Sequence, residues 1–308
     1  DQAAVAALIS IMVWLGLRTV RPARVPFQQT HLEPLALEFA FIASLYAVWR
    51  LARMLPLATS TGAMGRGRDI ASIEQAMHLP SELSLQRFVL SHDWLATATS
   101  WYYATVHVPA LLVFLAWLFF RHRDQYPHWR NGLAICTAGC LVIRFVRVAP
   151  PRFFPDLGYE DLASHYGISV YGADVQRGIS DQFAAMPSIH VGWAAVVSLG
   201  IVAASTSVWR WVFLPHVLLT TLVVAATANH WWLDGAVAVV LLLAGLAADT
   251  AVRRRRAARR ATATRPISSP TTTSTCTCRQ APFRRTDLPP ASPSLRRWSR
   301  PSPGERST

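Results

Sequence analysis

Six apolar runs, each near the length that crosses a lipid bilayer, constrain this chain more than any other feature. A helix rises 1.5 Å per residue, so roughly 20 apolar residues traverse the hydrocarbon core. The runs cover 35–55, 101–120, 133–149, 191–207, 211–228 and 233–252. A seventh candidate, 3–17, is shorter and reads equally as a span or as the remnant of a signal segment. Only 15% of residues are charged against 52% hydrophobic, too little polar surface to cover six buried helices in a soluble globule. The expected fold is all-α: a polytopic transmembrane bundle of six core spans, with a candidate seventh at the N-terminus.

The formal net charge is +13, and every basic residue is Arg. Fourteen of the 30 arginines fall in 253–308, against the two acids Asp287 and Glu305. The remaining residues are close to neutral, so the charge belongs to a tail and gives no support to a nucleic-acid partner. That tail is rich in Arg, Pro, Ser and Thr and is expected to be disordered. The organisation expected is therefore 1–34 as an optional extra span with a basic loop, 35–252 as a membrane domain, and 253–308 as a tail. Cys136 and Cys140 lie inside a span as small packing residues, and Cys276-x-Cys278 lacks a second ligand pair, so no disulfide framework and no metal site is expected.

Short basic loops are retained in the cytoplasm. Arg121, Arg123 and Arg130 mark one such loop and Arg253–Arg256 another. With both cytoplasmic, the run ends near Ala149, Ser188 and His230 share the extracytoplasmic face, together with the segment 56–100. Arg50, Arg53, Arg66 and Arg68 run against this rule. Within that segment, 73–95 mixes apolar and charged positions and reads as an interfacial helix or a solvated loop.

Three polar clusters interrupt or abut the runs, where ionisable groups are costly and mark function. Arg147 and Arg152 flank Pro150 and Pro151 as the chain leaves one run. Their planar forks suit phosphate oxygens, although Arg at a span end also snorkels. Ser188 precedes the 191–207 run as a helix cap, placing His190 in a first turn where free N–H groups attract anions. His230 and Asp234 stand four residues apart on one helical face, so the carboxylate can hold one imidazole nitrogen and leave the other as a nucleophile. Together they equip a site for phosphoryl transfer without a metal or other cofactor.

At these residues the sequence resembles the type 2 phosphatidic acid phosphatase superfamily. The matching segments are Ala149-Pro150-Pro151-Arg152, the stretch from Ala184 through Ser188 and His190 to Trp193, and the stretch from Ala226 through Asn229 and His230 to Asp234. Ile189 between Ser188 and His190 is similar to the branch that contains the inositol phosphorylceramide synthases and their bacterial relatives. Weaker echoes lie in Tyr102, Tyr103 and His107, and in Arg130 with Asn131. One departure is Val224, which stands where the superfamily has an Arg six residues before the nucleophilic His. Arg147 also stands where the branch commonly has Pro.

The resemblance implies that His230 attacks phosphorus, Asp234 orients it and His190 protonates the departing oxygen. Arg152, Ser188 and Arg147 would hold the phosphoryl oxygens, and Tyr103, His107 and Asn229 are candidates to contact substrate. It implies a lipid phosphate or phospholipid substrate, with water or a polyol such as inositol as acceptor. The apolar runs and the basic loops together lead us to expect a protein of the cell membrane, its site extracytoplasmic and its tail cytoplasmic. A transporter using the same polar groups, and a metalloenzyme ligated by His190, His230 and Asp234, are the competing readings.

Overall fold

The computed structural model describes Ile11 and residues 33–54, 61–162 and 182–263. Apart from Ile11, the candidate span 3–17 lies outside these residues, as does the tail beyond 263. The chain divides into two units, Asp1–Thr262 and Ala263–Thr308, and everything described below belongs to the first apart from the last residue of its final helix. Among the described residues every regular element is helical. In chain order these are α1 (Glu33–Met54), α2 (Ala63–Ala76), α3 (Glu82–Leu90), α4 (Asp93–Thr105), α5 (His107–Arg121), α6 (Tyr126–Ile143), α7 (Ile189–Ala204), α8 (Leu214–Ala226) and α9 (Trp232–Ala263). One isolated parallel bridge joins Val148 to Ala184.

Local chemistry accounts for four of the helix starts. The Ser81 hydroxyl accepts the Ser84 N–H (3.2 Å) at the head of α3, and the Ser188 hydroxyl accepts the Val191 N–H (3.4 Å) at the head of α7, as cap residues do. Proline stands in the first turn of α6 and of α8, where its missing N–H costs nothing. α7 packs on α5, α6 and α8, while α8 also packs on α3 and α4. Phe114, Leu118, Trp129, Cys136, Val196 and Leu242 form the core between them. Cys136 and Cys140 are buried free thiols in this packing.

Two close approaches set the spacing. A Cβ on Gly245 of α9 would lie 3.3 Å from the Gly132 carbonyl oxygen of α6, so small residues bring these helices nearly backbone to backbone. A Cβ on Gly200 of α7 would meet the Phe114 ring of α5 at 2.2 Å.

Two helical stretches are long and apolar enough to cross a membrane, Val208–Ala226 and Trp232–Thr262, and a third arises if the bent pair α4–α5 counts as one. Their apolar faces stay uncovered: Val113, Leu218 and Val240 are each more than 60% exposed, as lipid-facing side chains are.

The expected runs are corrected in four places. The run 101–120 is broken, with α4 and α5 meeting at 48°. Pro109 explains the break, because its ring clashes with the carbonyl of Thr105 and it offers no N–H to it. The run 133–149 is shifted: α6 begins at Tyr126 and ends at Ile143, and Val148 and Ala149 leave the helix to bond elsewhere. The run 233–252 continues as helix to Ala263, so the first eleven tail residues, all but Thr262 the good helix formers Arg and Ala, are helical rather than disordered. The segment 73–95 is not a solvated loop, since α2 and α3 bury Ile70, Glu74, Gln86 and Val89.

The two ends of the bundle differ in chemistry. At one end Asp249 of α9 accepts from Asn131 (2.7 Å), pairs with His128 (2.7 Å) and with Arg253 (2.5 Å), and Arg130 pairs with Glu38. The motif residues lie at the other end of α9, about 22 Å away along the helix. Arg66 and Arg68, two of the four exceptions to the basic-loop rule, have local partners there: Arg66 Nε donates to the Arg147 carbonyl (2.6 Å) and Arg68 pairs with Asp156 (2.9 Å).

Replacing Gly200 by Val is expected to lower stability by about 1–3 kcal/mol, since the Phe114 ring has no room to retreat. Adding Phe114→Leu in the same chain should restore part of the loss. Thermal unfolding of the two variants in detergent checks this coupling.

Candidate active site

Three segments distant in sequence meet at one end of the bundle and are fastened mainly by main-chain atoms. The Val148 N–H donates to the Phe183 carbonyl (2.8 Å) and the Ala185 N–H to the Val148 carbonyl (3.3 Å). The Arg152 N–H donates to the Ala228 carbonyl and the Ser188 N–H to the Asp234 carbonyl, both at 3.0 Å. The Trp231 indole N–H completes the frame by donating to the Ala149 carbonyl (3.0 Å). Two local backbone features accompany it. Met186–Pro187 is a cis peptide, and Ala228 has φ 52°, in the left-handed region that non-glycine residues seldom occupy. Ala228 lies in the turn after α8, and His230 follows two residues before α9 begins at Trp232, so His230 and Asp234 do not share one helical face as expected: Asp234, in the first turn of α9, reaches back to His230.

His230 is buried, and its Nδ1 lies 2.7 Å from the Ala185 carbonyl oxygen and 3.3 Å from Asp234 Oδ2. A carbonyl oxygen can only accept, so Nδ1 carries a proton, and in the neutral imidazole Nε2 is then the nitrogen with the lone pair. Asp234 is fully buried, and its Oδ2 also accepts the Trp231 N–H (2.9 Å). The Ala185 carbonyl was not foreseen from the sequence. No side-chain pattern signals a main-chain acceptor 45 residues away.

The imidazole of His190, in the first turn of α7, packs across from His230 with ring centroids 5.7 Å apart. Its other faces meet His107 (4.8 Å) and Tyr103 (4.7 Å). His107 starts α5 at the Pro109 break, and neither of its buried ring nitrogens has a hydrogen-bond partner among the described residues. Tyr103 therefore joins the site, whereas its neighbour Tyr102 directs its hydroxyl to His216 (2.8 Å) and Thr220 (3.0 Å) of α8.

The Arg152 guanidinium is buried and donates through Nη1 to Asn229 Oδ1. The Asn229 amide is in turn held by the Thr227 hydroxyl (2.9 Å), which gives the arginine a fixed direction. Arg147 is also buried, with its carbonyl held by Arg66. Val224 is buried with Tyr103, Val191 and Val223, and its carbonyl accepts the N–H groups of Asn229 (3.1 Å) and His230 (3.3 Å). That position thus contributes a main-chain acceptor to the His230 turn.

Sequence reasoning missed Glu74 and Glu82. Both are buried, and they accept N–H groups from the first turn of α9: Leu233 to Glu74 Oε1 (2.8 Å) and Trp232 to Glu82 Oε1 (3.4 Å). Their signal was two acids in the amphipathic stretch 73–95, which gave no hint of a partner 150 residues away.

The arrangement offers a nucleophilic imidazole nitrogen, a second imidazole facing it, a buried guanidinium and a capped helix N-terminus, which together suit an anionic ester. Neither a curated protein nor a solved structure matches the chain. The family model described as the PAP2 superfamily matches residues 68–248, more than half of the sequence and all of the segments just described. The chain therefore belongs to the PAP2 superfamily, a group of enzymes acting on phosphate esters, and it is a membrane protein of that group.

Proposed function

We propose that the chain is an integral membrane phosphotransferase or phosphatase that acts on lipid phosphates or phosphodiesters through a phosphohistidine at His230. The observation that carries this reading is the 2.7 Å contact between His230 Nδ1 and the Ala185 carbonyl, which in the neutral ring makes Nε2 the nitrogen available to attack. In the first step Nε2 forms a bond to phosphorus as the bond to the leaving oxygen breaks, and protonated His190 gives that oxygen its proton. Asp234 offsets the positive charge that develops on the His230 ring. Arg152, Ser188 and Arg147 hold the phosphoryl oxygens as negative charge shifts among them. In the second step an acceptor hydroxyl gives its proton to His190 and attacks phosphorus, and the phosphorus–nitrogen bond breaks.

Water as acceptor gives a phosphatase, and a polyol gives a transferase. The Ile189 variant of the middle motif favours the branch resembling inositol phosphorylceramide synthases, hence transfer of a phosphoryl headgroup to or from inositol. Tyr103, His107 and Asn229 then contact the substrate. In this reading α1, the bent pair α4–α5, α6, α7, α8 with the turn before it, and α9 are the six spans, and the site lies at the extracytoplasmic face of the cell membrane. The arginine-marked end around Asp249 then faces the cytoplasm, in keeping with retention of basic loops.

Purified protein in lipid micelles with chelator present, given a phospholipid or lipid phosphate with and without inositol, is expected to yield a phosphorylated product or free phosphate by mass spectrometry. His230→Ala should reduce either product by about 10³-fold or more. Persistence of product in that variant would refute the phosphohistidine and turn attention to transport; loss of product only with chelator would favour a metal mechanism.

A milder loss, on the order of 10²-fold, is expected for Asp234→Asn, because the Ala185 carbonyl still fixes the His230 tautomer when the carboxylate charge is gone. A loss equal to that of His230→Ala would show that the carbonyl does not hold the ring in place.

A further inference from the structure

The first turn of α9 carries free N–H groups and the positive end of the helix dipole, the equipment of an anion site. Here that turn is filled from within the chain. Asp234 takes the Trp231 N–H, Glu82 of α3 faces the Trp232 N–H, and Glu74 of α2 takes the Leu233 N–H. Glu74 is 3% and Glu82 5% exposed, and none of the described ion pairs reaches either carboxyl.

Two buried carboxylates side by side are unfavourable unless a proton lies between them. Glu74 Oε2 is buried and meets no N–H or O–H donor. Glu74 and Glu82 accept from the N–H groups of adjacent residues, Leu233 and Trp232, which brings the two carboxyls to one place, and a hydrogen bond between them can form only if one of the two is protonated.

Building on the phosphotransfer reading above, we propose that Glu74 and Glu82 are positioning residues that share one proton and clamp the first turn of α9, fixing the height of His230 and Asp234 against Ser188. The clamp ties α2 and α3 to the helix that carries Asp234 and begins two residues after His230. It also leaves the α7 N-terminus, capped by Ser188, as the helix end that receives the phosphoryl group.

The surroundings fit a protonated pair. Burial, then the contact with Glu82 and the nearby charges of Glu82 and Asp234, push the Glu74 carboxyl up to about 9, against the lowering effect of the Leu233 N–H. The other titratable group facing the pair is Tyr159, whose hydroxyl is pushed up by burial and by the charges of Glu82 and Glu74. Ile70, Leu83 and Trp231 supply the apolar walls.

The sign of the pH dependence follows. Above the ordinary carboxyl range the folded protein keeps a proton that the unfolded chain has released, so stability falls as pH rises from about 4.5 toward about 9. Above about 9 the shared proton is lost, three carboxylates crowd one helix terminus, and the clamp opens.

The test compares Glu74→Gln with Glu74→Ala in the full chain. Gln reproduces a protonated carboxyl and can donate to Glu82, so Glu74→Gln should keep kcat within about threefold. Its activity should stay level through the pH range near 9 where the wild type declines. Glu74→Ala should lose on the order of 10²-fold in kcat with KM little changed. Infrared spectra supply a readout independent of activity and of the Ala variant's folding: the carbonyl band of a protonated buried carboxyl is expected in the wild type at neutral pH, vanishing above about pH 9 and missing from Glu74→Gln.

Identical spectra for wild type and Glu74→Gln overturn the shared proton. An unchanged alkaline decline in Glu74→Gln, or equal kcat for the Gln and Ala variants, overturns the positioning role. Activity that survives His230→Ala would instead defeat the phosphotransfer reading, and the infrared difference would still report the pair.

Discussion

The structure of the site depends on hydrogen bonds between main-chain atoms of three segments that are far apart in sequence. Val148 with Phe183 and Ala185, Arg152 with Ala228, and Ser188 with Asp234 hold loops that would otherwise leave polar backbone unsatisfied at the edge of an apolar bundle. Such groups must be paired where water is scarce. The side chains of the site follow from this frame. The Ala185 carbonyl, placed by its bond to Val148, selects the His230 tautomer, and the Ala228 carbonyl, placed by a left-handed turn, seats Arg152.

Electrostatics at the two helix termini divide the work. α7 and α9 both point N-termini into the site, and each attracts negative charge. The α9 terminus is occupied by Asp234, Glu74 and Glu82, while the α7 terminus carries the Ser188 cap and His190. Nearby, the buried Arg152 is kept in direction by Asn229 and Thr227. A long cationic side chain without such support would explore several rotamers and hold an anion less well.

Much of this was legible in the residues. The spacing of His230 and Asp234 and the Ser188 cap before His190 were readable, as was the placing of Arg152 after two prolines, and the structure brings all of these together. Tyr103 and His107 join them through ring contacts with His190. The helical character of the apolar runs was equally plain. What periodicity could not show were features decided by contacts distant in sequence. α6 stops at Ile143 because Val148 and Ala149 have partners in other segments. Glu74 and Glu82 look like solvated charges until α9 is brought to them. The bend at Pro109 was written in the sequence but lost inside a continuous apolar count.

A frame made of carbonyls and N–H groups is indifferent to most side-chain changes around it. At position 224 this chain buries a valine whose contribution to the frame is its carbonyl, which receives the N–H groups of Asn229 and His230. The scaffold therefore separates two tasks. Holding the His230 imidazole is a task of the backbone and indifferent to the side chain at 224, while side chains lining the site can be exchanged without rebuilding that support.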